Sequence, residues 1–388
     1  MLINYDIQLD FDDVLIAPQT TTINHRGEVD IIREFKHLDT YGIPIISANM
    51  TQTGTFAVAS KLLENNYFAT LHKFYKTEDI INFIKEQKEK NIIYGRIDST
   101  GYYEGNERNL FVTVGKRNWE QEFKKIETIY KETSALVSVL LDVPNAYIPE
   151  IVDCVKQLRE FMNKQNFQGG LIAVGNVCSG DETQKLILAG ADFVKIGIGP
   201  SPVCDTRIKT GCGRPQLSAI IECANAAHQV NGYIIADGGF KQNSDFCKAL
   251  VAGADICMSG SMFAGCEEAN GDIITKCYKT NEYTIEAEYD ILTDMTTEIP
   301  GKPVFEFKKF KEYYGMSSFR AQQENYGKIT TTGTSEGVEC KLIPYTGPIQ
   351  NTINDINGSL RSCGSYIGAK NIKSFSRQGM FYRVNRIK

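Results

Sequence analysis

The sequence predicts an α/β fold, a (β/α)8 TIM barrel with an N-terminal extension and a C-terminal flap and tail. Three observations carry this. Short apolar runs recur about every 30 residues, the length of a βα unit. Helix-like segments separate them, and the glycine-rich segments fall after the sixth, seventh and eighth runs. Barrels place a phosphate site after strands seven and eight, whereas open dinucleotide-binding sheets carry their glycines after the first strand.

The runs are residues 43–47, 67–71, 110–114, 137–142, 171–174, 193–199, 233–236 and 256–259. Their continuous apolar character suits strands of a parallel sheet buried on both faces. Between them, 78–90, 119–132, 148–164 and 216–229 read as amphipathic helices. The repeat spans about 43–263 and ends beyond Ala264, so 1–388 reads as one catalytic domain. An inserted segment at about 276–303 belongs to a stretch, 271–302, rich in Thr, Glu and Tyr. Its alternation at Tyr283, Ile285, Ala287 and Tyr289 predicts a surface hairpin. Residues 315–337, rich in Gly, Ser and Thr, read as a mobile flap. The stretch 370–388 holds six Lys/Arg and no acid, and reads as a solvated end rather than a dedicated anion site.

Composition narrows the function classes. With 388 residues, 42% hydrophobic and 23% charged, the chain buries a large core. A net charge of −5 offers no field for nucleic acid or an anionic membrane. A small anionic substrate needs a local basic or backbone-amide site. The first residues have no basic region followed by an apolar one, so no signal peptide is expected. No stretch approaches the roughly 20 apolar residues of a membrane span. Eleven cysteines without a CxxC fit a reducing cytoplasm, and four scattered histidines argue against a His-based metal centre.

The chemistry concentrates in residues 193–213, FVKIGIGPSPVCDTRIKTGCG. A strand enters a loop with glycines at 197, 199, 211 and 213, which let backbone approach a ligand. Cys204 sits at its centre beside Asp205, Thr206, Arg207 and Lys209, a setting that favours a reactive thiolate. An isolated cysteine would read as a small buried apolar residue; on this loop it reads as a nucleophile. Asp237, Gly238 and Gly239 follow the seventh run, where amides can hold phosphate and the carboxylate can accept from ribose. Alone, such a triplet is as often a plain turn. Gly260 and Ser261 repeat the pattern after the eighth run, and the pair of loops reads as a phosphate clamp.

These segments, with LDFDDVLIAP (9–18), CDTRIKTGCGRPQLSAI (204–220), ADGG (236–239), YYGMSS (313–318) and SEG (335–337), resemble the IMP dehydrogenase/GMP reductase family. The resemblance runs from about Asp6 to Lys388, interrupted mainly at about 276–303. It points to the reductase branch. No long flap with the water-activating Arg-Tyr pair lies between Met316 and Glu336, Glu336 stands where the dehydrogenases usually have Gln, and the barrel leaves no room for the regulatory CBS pair.

The resemblance implies NADPH-dependent deamination of GMP to IMP and ammonia, through a thioimidate on Cys204 with Thr206 and Glu336 as proton-transfer partners. It implies nucleotide contacts at Asp237, Gly238, Gly239, Gly260, Ser261, Gly315, Met316 and Ser317, with Ser335 and Gly337 at the base. It implies cofactor contacts at His25, Arg26, Lys73, Asp142, Val143, Ile198, Gly199, Ser362, Cys363, Gly364 and Ser365. From the residues alone, Arg26 and Lys73 read as solvated cations. A potassium ion is implied on the Cys loop, by Gly199, Ser201 and Cys204 with Arg207 nearby, and so is a homotetramer. The chain departs from the family pattern at Ser201-Pro202, Gly333, Thr51-Gln52 and Ala146. Pro202 removes an expected phosphate donor. The alternatives are an IMP dehydrogenase without regulatory domain and a purine-nucleotide-binding barrel that does not catalyse.

Overall fold

In the computed structural model the described residues are 3, 5–97, 103–116, 118–164, 170–290, 295–329 and 334–384. The predicted barrel is present and closed. Its strands are β1 (Thr40–Ser47), β2 (Tyr67–Leu71), β3 (Leu110–Val114), β4 (Ser138–Asp142), β5 (Ile172–Val177), β6 (Phe193–Ile196), β7 (Tyr233–Asp237) and β8 (Ile256–Ser259). Each pairs in parallel with the next, and β8 returns to β1 with Met258 opposite Ile46 and Ser259 opposite Ser47. The helices α1 (Phe56–Glu64), α2 (Thr77–Glu89), α3 (Trp119–Thr133), α4 (Pro149–Lys164), α5 (Gly180–Leu188), α6 (Gln216–Gln229), α7 (Asn243–Val251) and α8 (Ile349–Ile367) follow the strands in turn.

Side-chain alternation explains the layers. In β2, Tyr67, Ala69 and Leu71 join the large cluster between strands and helices, while Phe68 points into the barrel. Phe111, Leu140, Phe193, Ile235 and Met258 fill the interior with it. On α8, Ile349, Ile353, Ile356 and Leu360 bury one face at helical spacing. Phe35, from a short strand (Arg33–Phe35) antiparallel to the start of β1, plugs the N-terminal mouth. Its ring meets Phe68, Phe193 and Tyr233 edge-on at 5.9, 5.4 and 4.9 Å. Functional loops are thereby left at the other mouth, the usual position in this architecture.

The second, third and eighth runs coincide with their strands to the residue. The sixth ends at Ile196, short of the predicted 199, because Gly197 turns the chain at φ +145°. A Cβ there would stand 2.3 Å from the Asp237 carbonyl oxygen, so only glycine lets β6 and β7 run this close. The predicted hairpin is β9 (Ile273–Asp290) with β10 (Met295–Tyr313), and β11 (Lys341–Pro344) pairs with the end of β10. Its second arm outruns the predicted 302 because the arm is anchored beyond it. Lys311 Nζ donates to the carbonyls of Cys266, Glu267 and Ala269 at 2.9, 3.1 and 2.5 Å.

Within 315–337 the structure forms a helix, Phe319–Tyr326, whose Ser318 Oγ accepts from Ala321 N at 3.0 Å. Residues 330–333 of that segment lie outside the described residues, and with them Gly333. The basic tail is not a solvated end. Phe381–Arg383 pairs antiparallel with Val14–Ile16, and Ile372 and Phe375 are buried. Its apolar residues dock the segment, while Lys370, Lys373, Arg377 and Arg383 are exposed. All eleven cysteines are free thiols. No helix among the described residues is long and apolar enough to cross a membrane.

Candidate active site

Three predicted residues meet on one line. Cys204 Sγ lies 3.1 Å from Thr206 Oγ1, and Thr206 Oγ1 donates to Glu336 Oε2 at 2.8 Å. With the hydroxyl proton directed at the carboxylate, the hydroxyl oxygen is free to accept from the thiol. The arrangement is a short path for a proton from sulfur to Glu336. Cys204 and Thr206 share a loop, but Glu336 is 130 residues away in sequence. Backbone pairing brings it in. Asp205 N donates to Glu336 O at 2.7 Å and Val338 N to Val203 O at 3.0 Å, with Cys204 bridged to Gly337. Gly315 closes this layer: a Cβ there would meet Val203 O at 2.4 Å and Gly337 Cα at 2.7 Å.

Around this line lie the predicted nucleotide residues. Gly238 N donates to Met258 O at 3.1 Å, so that amide is already spent. The amides of Gly239, Gly260 and Ser261 have no backbone acceptor among the described residues. Ser261 Oγ donates to Phe240 O at 2.7 Å. Ser335 Oγ donates to the carbonyls of Ser317 and Gly337 at 3.1 and 3.0 Å. Met316 Sδ accepts from Thr51 Oγ1 at 3.7 Å. Two departures from the family pattern are thus explained in place: Thr51 packs on the flap, and Ser201 Oγ accepts from Val203 N at 3.4 Å beside Pro202. Gln52 is 2% exposed and its side-chain amide has no hydrogen-bond partner in the structure. Nothing in the structure explains that substitution.

Sequence reasoning missed Lys195. It stands in β6, almost fully buried, with Nζ 2.7 Å from Asp237 and 3.1 Å from Asp142. Burial opposes its charge, but the two carboxylates outweigh it and hold the ammonium well above its ordinary range. Burial likewise pushes the Asp142 carboxyl up, but Lys195 and Lys73 hold it below its ordinary value. Asn176 Nδ2 adds a bond to Asp237 at 2.9 Å. The signal was present in the sequence: a lysine inside an apolar strand must be paired to be buried.

The predicted cofactor residues fall into two groups. Lys73 lies 4.0 Å from Asp142 at the open mouth, with Val143 after β4 and Ile198 and Gly199 after β6. His25 and Arg26 lie in a turn that contacts α8, the helix carrying Ser362, Cys363, Gly364 and Ser365. On the Cys loop, Ser201 O accepts from Cys204 N at 3.0 Å. The side chain of Arg207 lies against Gly199 and donates to Ile198 O at 3.0 Å and to Arg214 O. The Arg207 guanidinium thereby occupies two carbonyls of the loop and its flank.

A cavity of about 870 Å³ opens beside the flap helix, lined by His72, Tyr75, Glu268, Asp272, Glu312, Arg320 and Glu324 among others. Burial lowers the His72 pKa to about 4, leaving Arg320 the only charged cation of the lining near neutrality. Four carboxylates make this cavity unfit for phosphate.

The family model described as IMP dehydrogenase/GMP reductase domain matches residues 8–287 and 291–387. The chain is 39% identical to a GMP reductase of Buchnera aphidicola, across 99% of this chain and 97% of the relative. It is 37% identical to GMP reductases of Photobacterium profundum and Aliivibrio fischeri over the same shares.

Proposed function

The chain belongs to the IMP dehydrogenase/GMP reductase family, and on that premise we propose that it converts GMP to IMP and ammonia with NADPH, a step of purine nucleotide interconversion. The observation that carries this reading is the line from Cys204 through Thr206 to Glu336, at 3.1 and 2.8 Å. The Cys204 thiol proton passes to Glu336, and the thiolate attacks C2 of the guanine. The 2-amino group leaves as ammonia once Glu336 returns a proton to it through Thr206. A carbon–sulfur bond to C2, a thioimidate, remains. NADPH, when bound, supplies the hydride that takes its place, and the Cys204 thiolate departs. The products are IMP and ammonia, and no water-activating base is required.

Lys73, 29% exposed beside Asp142, is a cation only partly neutralised and suits a phosphate of NADPH. The amides of Gly239, Gly260 and Ser261 suit the GMP phosphate, in place of the donor that Pro202 lacks. The carbonyls of Gly199, Ser201 and Cys204, on one short loop, are those we assign to a potassium ion. The second group of cofactor residues is carried by α8 and the turn against it rather than by the loops after β2, β4 and β6, and a homotetramer would let a neighbouring copy supply it.

The decisive assay follows absorbance with GMP plus NADPH, and separately with IMP plus NAD. NADPH loss that requires GMP and releases ammonia is expected, faster with potassium than with lithium. NADH formation from IMP would instead identify a dehydrogenase. Glu336→Gln cannot take up or return a proton. It is expected to lower kcat by about 10²–10⁴-fold while leaving the KM for GMP nearly unchanged; an unaltered kcat removes Glu336 from the mechanism.

A further inference from the structure

At the plugged end of the barrel, remote from Cys204, a second cleft of about 270 Å³ is lined by Arg33, His37, His228, Tyr233, Lys373 and Arg377 among others. It is built from four segments: the strand that plugs the mouth, the end of α6 with the start of β7, the loop before β8, and the docked basic tail. We infer that this cleft binds a phosphate group, free or carried by a small phosphorylated metabolite.

Charge is the first argument. Arg33, Lys373 and Arg377 bring three permanent cations to the cleft, and no acidic residue is among its described lining; Asp255 lies behind Arg33 and His228, fully buried. Asp255 is already engaged: it forms an ion pair with Arg33, lies 2.9 Å from His228 Nε2 and accepts from Ile234 N at 2.8 Å. Asp192, whose charge reaches His37, is taken by Arg159 at 2.5 Å. Lys373 and Arg377 are exposed, and among the described residues neither has an acidic partner. In a chain of net charge −5 this is a local excess of positive charge in a concave site.

Donor geometry is the second. Arg33 Nε is buried and has no hydrogen-bond partner, although its other end is paired with Asp255. Such an orphaned donor costs free energy unless an acceptor reaches it. His228 is held above its ordinary pKa by its bond to Asp255, against the opposing effect of burial, and so adds positive charge on the acid side of neutrality. Opposite, Tyr233 OH lies 3.1 Å from His37 Nδ1, and the two rings stack at 5.0 Å. His37 Nε2 lies 3.2 Å from Asn231 O. These contacts fix the His37 and Tyr233 rings as one part of the cleft lining. Planar Arg forks and Lys ammonium groups converging on a small concavity match the tetrahedral oxygens of a phosphate.

The test uses the full chain with histidine rings isotopically labelled; only four histidines are present, so each ring signal is assignable. Orthophosphate and ribose 5-phosphate are titrated in separate arms. Saturable shifts of the His37 and His228 signals are expected, with His25 unmoved. Tighter binding of ribose 5-phosphate would assign the site to a phosphorylated metabolite, and equal binding to the free anion. The double variant Lys373→Gln, Arg377→Gln alters only exposed side chains and should weaken this binding at least about tenfold, the equivalent of about 1.4 kcal/mol. Signals that fail to saturate, or that saturate equally in the double variant, overturn the inference.

Discussion

Cys204→Ala is expected to bind GMP and to lose turnover, with kcat/KM falling by at least about 10⁴-fold. The substitution deletes the sulfur that would bond to C2, and no neighbour replaces it. Cys212, the other thiol of the loop, is exposed and directed at the Thr210 carbonyl, 3.9 Å away. The loop itself should hold, because the bonds that pair it with the flap run through backbone atoms of Val203, Asp205 and Val338. Calorimetry with GMP and steady-state NADPH oxidation read the two properties separately. A residual rate within tenfold of the parent would sink covalent catalysis at this position. Retained binding without catalysis in the unsubstituted chain would instead favour a non-catalytic nucleotide-binding barrel.

Lys195→Met should be the most damaging substitution for stability among the charged residues of the site. It keeps the length and apolar stem but leaves Asp142 and Asp237 facing each other without the ammonium between them. Breaking a buried pair by removing one partner costs about 3–5 kcal/mol, a large share of the stability of an ordinary domain. The sign of the pH effect follows from Asp142. Its folded pKa lies below the unfolded value of 3.8, so its contribution is present above that value and is lost as pH falls through the folded pKa. Without Lys195, burial dominates, the folded pKa rises, and acid unfolding should begin at higher pH. Denaturant midpoints measured from pH 3 to 7 check both parts. An unchanged midpoint at pH 7 would show that the triad is not holding the barrel mouth together.

The barrel was legible because burial imposes a local pattern. β2, β3 and β8 are apolar on both faces, and α6 begins and ends where its spacing predicts. Lys195 was legible in principle, since its neighbours Phe193, Val194 and Ile196 leave it no exit to solvent. It was missed because it sits inside a run whose average character is apolar. The tail was misread for the opposite reason. Its six cations dominate the composition, while Ile372, Phe375 and the strand pairing of Phe381–Arg383 decide where it goes.

The sequence by itself determined the alternation of strands and helices, the glycine-bearing turns after β6, β7 and β8, and the adjacency of Cys204 and Thr206. Each depends on residues close together in the chain, where backbone geometry and hydrophobic period act directly. Only the tertiary structure decided that Glu336 reaches Thr206, that Lys195 joins Asp142 to Asp237, and that Lys373 and Arg377 line one cleft with Arg33. Those are pairings between charges or polar groups far apart in sequence. Their partners are chosen by barrel closure and backbone layering, and a linear pattern of burial carries no record of that choice.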